Sequence, residues 1–590
     1  MWLKETKKLK INRILMERVY NKTIEWQNID IEKGRRNIMS EYKIQIGKEQ
    51  YVNCKEGSKF IDIIDKYYDD KLLDIAICKL NNKYYELGEE IPYGGTLTLV
   101  PFTSIDGMKV YSRTLQYIFI KATLDLFKDA KIVMQHSIDK GIFGEIHKVS
   151  PLDEEDINKI KNKMKDIIDK NIPINKVKVK REKAIEIFKS YGMDDKVLLL
   201  EQVNFEYVSL YELDGRYDYF YGYMAQSTGV IRSFDVMYYE PGFILRYPLE
   251  DDINTLVKFN EQKKLASIFM ETEKWLNILG VGEVGSLNEK IINGDLSSLI
   301  MISEALHEKK IAEIADKIFN RRDTRIVLIA GPSSSGKTTF AHRLGIQLRV
   351  NGLIPIPISL DDYFVNREDT PRDENGEYDF ETIGSVDIKL FNEQLREILK
   401  GNEVEIPTFN FLKGEREWIG NKIKLPQNGV VIIEGIHGLN PILTSEIEDK
   451  YKFKIYISAL TQLNLDNHNR IATTDVRRIR RIVRDHLSRG HEAEDTLKMW
   501  PKIKRGEQEN IFVYQEEADV MFNSTLVYEL CVLKNAALEE LNKIEEDNTI
   551  YNEAKRLKSF LGFFKEIDCD LVPQNSILRE FIGGSIFYKY

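Results

Sequence analysis

A chain of 590 residues exceeds what one hydrophobic core organises, and 43% hydrophobic with 30% charged residues is the balance of a folded globular protein, which excludes wholesale disorder. A formal net charge of -9 argues against holding nucleic acid by bulk electrostatics and leaves RNA only a local contact. The four cysteines, Cys54, Cys78, Cys531 and Cys569, form no CxxC or Cys/His cluster, and no apolar run reaches about eighteen residues, so a zinc module, a disulfide framework and a membrane partner are set aside in favour of a cytoplasmic setting.

Residues 1–40 read as a basic leader, expected to be dispensable because Met39 directly precedes SEYKIQIG, where strand-like alternation begins. Residues 41–102 carry a strand (KIQI), a helix (FIDIIDKYY), a paired ICKLNNKYYEL and a closing GGTLTLV, the pattern of a small β-grasp α+β module. Residues 103–250 continue as a second α+β domain: a long helix (SRTLQYIFIKATLDLF), a charged helix after Pro151, and aromatic strands ending at GFILRYP. Residues 251–322 are helical in period throughout and form a connector.

From 323 to 535 the character changes. Short, almost wholly apolar strands (RIVLIA, IPIPISL, VVIIEG, FKIYISA) alternate with helices, which predicts a doubly wound parallel sheet covered on both faces. Residues 536–590 are expected to be a helical C-terminal extension wrapped on that core.

Gly331-Pro332-Ser333-Ser334-Ser335-Gly336-Lys337-Thr338 matches GxxxxGK[ST] between a strand and a helix, and Thr339 follows in the helix. The glycines let backbone amides curve around phosphates, Lys337 reaches the β/γ oxygens, and Thr338 can ligate Mg²⁺, so ATP and Mg²⁺ are the expected cofactors. A phosphate loop alone does not separate a kinase from a GTPase or a motor. The acids that follow favour a kinase: Asp361 and Asp362 end the second strand, at the edge of a doubly wound sheet that faces its ligand, and a carboxylate there can take the proton of an attacking hydroxyl. Glu434 ends VVIIE in the position of a Mg²⁺-holding acid. The helix VRRIRRIVRDHLSRG spaces Arg477, Arg480, Arg481 and Arg484 at three and four residues, with Arg489 beyond, as expected of a movable lid that neutralises transferring phosphate.

On these blocks residues 325–525 resemble the uridine kinase and phosphoribulokinase family of P-loop kinases. GPSSSGKTT resembles its phosphate loop, SLDDYF its strand-end segment, DFETIGSVD its ribose-contacting acidic segment, VVIIEG its metal-side strand, RRIRRIVRD and SRG its lid, and EADV its final strand. The resemblance implies Asp361 as base, Arg480, Arg484 and Arg489 near the phosphates, and Asp361, Tyr363, Glu381, Phe409 and Arg416 against the acceptor. Phe409-Asn410-Phe411 and Gly414 stand where uridine kinases carry Tyr-Asp-Phe and a base-contacting His, which removes the groups that would read a pyrimidine. A nucleoside is the first acceptor implied, with a phosphoribulokinase-like or other sugar-alcohol substrate as the variant within the class; a homo-oligomer is left open.

Residues 42–100 resemble a TGS domain, and 103–250 resemble the second additional domain of threonyl-tRNA synthetases. That domain hydrolyses mischarged tRNA with HxxxH and Cys/His residues, but this chain has Arg113-Thr114-Leu115-Gln116-Tyr117 there, which implies no editing activity. The competing function is an RNA- or ribosome-associated regulatory NTPase that uses the TGS-like module, weakened by the absence of an NKxD motif; a degenerate kinase kept as a binding protein is opposed by the intact Lys337, Thr338 and Asp361.

Overall fold

The computed structural model describes residues 41–588 apart from the short stretches 48–49, 69–71, 250–251, 375, 411–412 and 462, so the expected leader and Phe411 lie outside the described residues. Two compact units divide the chain: one takes residues up to Ser58 with Glu90–Gly95, the other Lys59–Glu89 and everything from Thr96 on. In the first, β1 (Glu41–Ile46) and β2 (Gln50–Lys55) form an antiparallel hairpin with Tyr42 opposite Cys54.

The second unit begins with α1 (Phe60–Tyr67) and three antiparallel strands, β3 (Ile75–Leu80), β4 (Lys83–Tyr85) and, from Thr96 on, β5 (Gly95–Pro101), with β3 between its two neighbours. The long α2 (Ile105–Leu126) follows, its first turn capped by the Ser104 hydroxyl, which accepts the Gly107 amide. It packs with α3 (Glu154–Asp169) against a four-stranded antiparallel sheet that contains β6 (Lys131–Ile138) and β7 (Gly141–His147). Further on, α4 (Arg181–Ser190) and α5 (Asp194–Glu201) bury Phe188, Leu199 and Leu200 in the core that also lines the kinase-like sheet.

The connector is helical only from Lys263 on, in α6 (Lys263–Leu279), α7 (Val284–Ile292) and α8 (Leu296–Asn320), whereas 252–262, expected to be helical with the rest, form turns and irregular chain. After it come the central strand β8 (Ile326–Ala330), α9 (Lys337–Val350), β9 (Ile354–Ser359), α10 (Ile388–Leu399), a short hairpin of β10 (Thr408–Asn410) and β11 (Glu415–Glu417), β12 (Gly429–Glu434) and β13 (Lys452–Ser458). Beyond them lie α11 (Thr473–Arg489), α12 (Ala493–Asn510), β14 (Val520–Asn523), α13 (Glu529–Leu541), α14 (Tyr551–Leu561) and the single-turn α15 (Arg579–Ile582).

The five strands run parallel in the order β9-β12-β8-β13-β14. Their side chains alternate between two cores: Val327, Ile329, Val430 and Ile432 face one, Ile326, Leu328, Val431 and Ile433 the other. Burial on both faces is why these strands read as unbroken apolar runs. Pro355 and Pro357 are tolerated because β9 is an edge strand, where a missing amide costs no ladder bond. Residues 536–588 pack on the same body, with Leu557, Phe560, Phe563 and Phe564 in its core.

The two halves of the second unit are tied by a buried charge cluster. Lys196 of α5 lies 2.8 Å from Asp466 and 3.1 Å from Asp218, all three at most 1% exposed, and His468 Nδ1 is 2.7 Å from Asp218. Among the described residues no helix is long and apolar enough to cross a membrane.

Candidate active site

The parallel register assembles the site. It sets Ile329 and Ser359 each opposite Glu434, so the loop after β8, the segment after β9 and the last residue of β12 leave the sheet at one edge. A central strand flanked by strands that depart in opposite directions opens a crevice at that edge.

Only glycine fits at position 331: a Cβ there would sit 2.0 Å from the Ile457 carbonyl oxygen. Ser334 (φ 59°) and Gly336 (φ 83°) turn the loop through the left-handed region, which curls successive amides toward one point above α9. Among the described residues the Ser334 and Ser335 hydroxyls are buried without a protein partner, and Lys337 Nζ donates to the carbonyls of Gly331 (3.0 Å) and Pro332 (3.2 Å). Burial lowers the Lys337 pKa from its ordinary value, against the pull of Glu434, Glu580 and Asp361. Orphaned hydroxyls, curled amides and a half-buried ammonium together fit a polyphosphate.

Asp361 follows β9 on a short 3-10 turn. Burial raises its pKa, while Lys337, Arg489 and Arg484 pull it down, so these four charges share one locality. Glu434 is pushed up to about 7 by burial and by Asp361, and accepts a bond from the Ser359 hydroxyl at 3.2 Å. Glu381 is likewise pushed up to about 7, by burial first and then by Glu507; its side chain packs on Gly506, where a Cβ would meet it at 2.3 Å. Crowded buried carboxylates with raised pKa values are a donor set that a hard cation suits. Thr338, half-buried on the first turn of α9, and Glu434 are the residues that fit Mg²⁺.

The arginine helix departs from the lid expected of it. Arg477 and Arg480 are 1% and 0% exposed and sit behind the phosphate loop. Arg477 Nε donates to the Ser333 carbonyl at 2.9 Å and its guanidinium pairs with Glu507, which accepts the Ser333 amide at 3.0 Å. Arg480 donates to the Ser334 carbonyl (3.3 Å), the Ser524 hydroxyl (3.1 Å) and Glu529 (2.5 Å). These two arginines brace the loop. Arg480, expected at the phosphates, has every nitrogen committed to that brace. Arg484 pairs with Asp485 at 2.8 Å and Arg489 lies 3.8 Å from it, while Arg481 Nη1 donates to the Ser333 hydroxyl at 2.7 Å.

Two expected acceptor contacts are also placed elsewhere. Tyr363 is 1% exposed, its hydroxyl donating to Gln394 at 2.8 Å and its ring against Phe391, so it is core. Arg416 pairs with Asp387 at 2.9 Å and fastens the β10–β11 hairpin to the start of α10. Phe409 does reach the neighbourhood: its amide donates to Asp362 at 3.1 Å and its ring meets Phe364 edge-on at 5.7 Å. Glu507 and Glu580 were missed by sequence reasoning, since each meets the loop from far along the chain with no motif around it.

In the N-terminal half, the helix segment from Arg113 to Tyr117 spends its polar groups on the fold. Arg113 donates to the Tyr223 carbonyl (2.5 Å), Thr114 accepts the Ala225 amide (3.1 Å), and the Tyr117 hydroxyl donates to the Arg216 carbonyl (2.6 Å). His136 stacks on Phe269 at 3.6 Å, and burial drives its pKa down to about 3, a neutral core histidine.

The strand order, loop and strand-end acids define a P-loop phosphotransferase fold. Residues 326–529 form a Phosphoribulokinase / Uridine kinase family domain. The N-terminal half matches threonine--tRNA ligases: that of Oceanobacillus iheyensis is 31% identical over 160 residues, 27% of this chain and 25% of the ligase. A probable cytoplasmic threonine--tRNA ligase of Enterocytozoon bieneusi is 28% identical over 199 residues, 34% of this chain and 31% of that protein. The chain thus spans about a quarter to a third of the length of these curated relatives. Among solved structures, a possible uridine kinase from Bacillus stearothermophilus aligns over 36% of this chain and 100% of its own, at 20% identity and a TM-score of 0.22.

Proposed function

We propose that residues 323–535 transfer the γ-phosphate of ATP to a hydroxyl of a small molecule, a nucleoside-like compound first among them. The observation that carries this reading is the parallel register that sets Ile329, two residues before Gly331, and Ser359, two residues before Asp361, both opposite Glu434, so that the phosphate loop and Asp361 leave the sheet at one edge. A carboxylate at that place accepts the acceptor's proton as its oxygen bonds to the γ-phosphorus and the bond to the β–γ bridging oxygen breaks, releasing ADP. Lys337, Arg484 and Arg489 offset the charge that spreads over the phosphoryl oxygens. Thr338 and Glu434 would hold Mg²⁺, whose chemistry there would be neutralisation of phosphate charge.

Phe409 against Phe364 offers an apolar face to an acceptor, and Glu381 a carboxyl suited to sugar hydroxyls. The N-terminal half serves as a scaffold bound to the kinase through Lys196, Asp218 and Asp466.

The test is a phosphate-acceptor screen with ATP and Mg²⁺ over nucleosides, pentose phosphates and other polyols, with and without RNA. Transfer to at least one hydroxyl compound is expected. ATP hydrolysis stimulated by RNA, with no acceptor phosphorylated, would sink the kinase reading in favour of a regulatory NTPase.

A further inference from the structure

The amide of Thr339 is already taken. It is the third residue of α9, and its N–H is one of the unpaired donors at a helix start, part of the set with which a phosphate loop holds the α- and β-phosphates. In this fold that amide donates to the Glu580 carboxylate at 3.1 Å, and the Thr339 hydroxyl donates to the same oxygen at 3.0 Å. Both residues are buried, Thr339 at 0% and Glu580 at 6% exposure. The carboxylate acts on Lys337 and Glu434, the lysine that reads phosphate and the acid that fits the metal.

Glu580 does not come alone. Ile577 covers the loop at Gly336, where a Cβ would meet its Cγ2 at 2.6 Å. Phe581 lies under the Arg480 guanidinium at 4.9 Å, Phe587 stacks on His342 of α9 with rings 5.3 Å apart and 4° from parallel, and the Tyr588 hydroxyl is 2.6 Å from Thr339 Oγ1. The segment also holds its own shape: Arg579 donates to the carbonyls of Val572 (3.1 Å), Cys569 (3.0 Å) and Gly583 (3.3 Å), and Gly583 and Gly584 turn it back at φ 80° and 70°. An anion on a preformed clip is therefore seated at the start of α9, with aromatic rings along the first turn beyond it.

We propose that the segment from Ile577 to Tyr588 is an autoinhibitory clip whose Glu580 carboxylate stands in for a nucleotide phosphate, so that polyphosphate binding and the Glu580–Thr339 contact exclude one another. The proposal rests on the kinase reading only as far as the loop's being a nucleotide site. Two anions cannot share one amide and one hydroxyl, so a nucleotide must first displace Glu580, and its apparent affinity is reduced by the population of the closed clip. A charge-assisted hydrogen bond exchanged in this way is worth about ten-fold in affinity. A partner or modification that drew the clip away would raise nucleotide affinity without touching the site.

The experiment measures binding of ADP and of tripolyphosphate by titration calorimetry to the full chain and to Glu580→Gln, which keeps the side chain's shape and removes its charge. Glu580→Gln is expected to bind both about ten-fold more tightly. In parallel, ADP added to the unmodified chain should speed amide hydrogen exchange over 579–588, a readout that does not depend on how the variant folds. Equal or weaker binding by Glu580→Gln, or protection of 579–588 by ADP, overturns the clip alone. If neither protein binds ADP or tripolyphosphate, the clip and the nucleotide-site reading fall together.

Discussion

Replacing Glu507 by alanine should both loosen the fold and spoil the phosphate loop. Glu507 is 2% exposed and is the partner of Arg477, 1% exposed, whose guanidinium also meets the Ser333 carbonyl and the Trp500 ring, 5.5 Å away. Removing one member of a buried pair strands the other charge, at a cost of about 3–5 kcal/mol. For a domain of this size that lowers the melting temperature by roughly 10 °C. The Ser333 amide loses its acceptor at the same time, so ADP affinity should also fall.

The double variant Arg477→Met with Glu507→Leu separates the effects: with no buried charge left it should recover most of the stability, while the unbraced loop still binds ADP weakly. Differential scanning fluorimetry and ADP titration read the two quantities. A Glu507→Ala protein that melts within about a degree of the parent, or the double variant binding ADP as tightly as the parent, would refute the brace.

Lys337→Ala should abolish phosphoryl transfer, read as loss of labelled product by a protein whose circular dichroism is unchanged; retained turnover would remove Lys337 from the reaction. Asp475 carries the pH dependence of the contact with α14: burial works to raise its pKa, but Arg556, bonded to it at 2.6 and 2.7 Å, and Arg478 bring it from 3.8 to about 2. A carboxyl depressed on folding stabilises above its unfolded pKa and loses that contribution as pH falls toward the folded one. Asp475→Asn should therefore cost about 2 kcal/mol at pH 7 and about half that at pH 3 by urea unfolding, whereas a pH-independent difference would contradict the ion pair.

The phosphate site was largely legible because its chemistry is local. A strand, a glycine-rich turn and a helix are contiguous, and Asp361 and Glu434 advertise themselves, the first just beyond one apolar strand and the second at the end of another. The parallel sheet was legible for the same reason. Arg477 and Arg480 were not, because an arginine at three-residue spacing looks the same whether it faces water or a buried acid, and their acids, Glu507 and Glu529, come from other helices. Tyr363 became core through Gln394 on α10, a contact no strand-end pattern encodes. Glu580 lies 241 residues from Thr339 and carries no motif, so only the folded chain brings it to the loop.

The central claim is that Asp361 serves the chemistry rather than the holding of nucleotide. It is tested by comparing the full chain with Asp361→Asn for ADP affinity and for γ-phosphate transfer to the acceptor most active in the screen. The expected result is an ADP affinity close to that of the parent and a transfer rate lower by about 10²–10⁴-fold, the usual effect of removing a general base. Near-parental transfer by Asp361→Asn would contradict it.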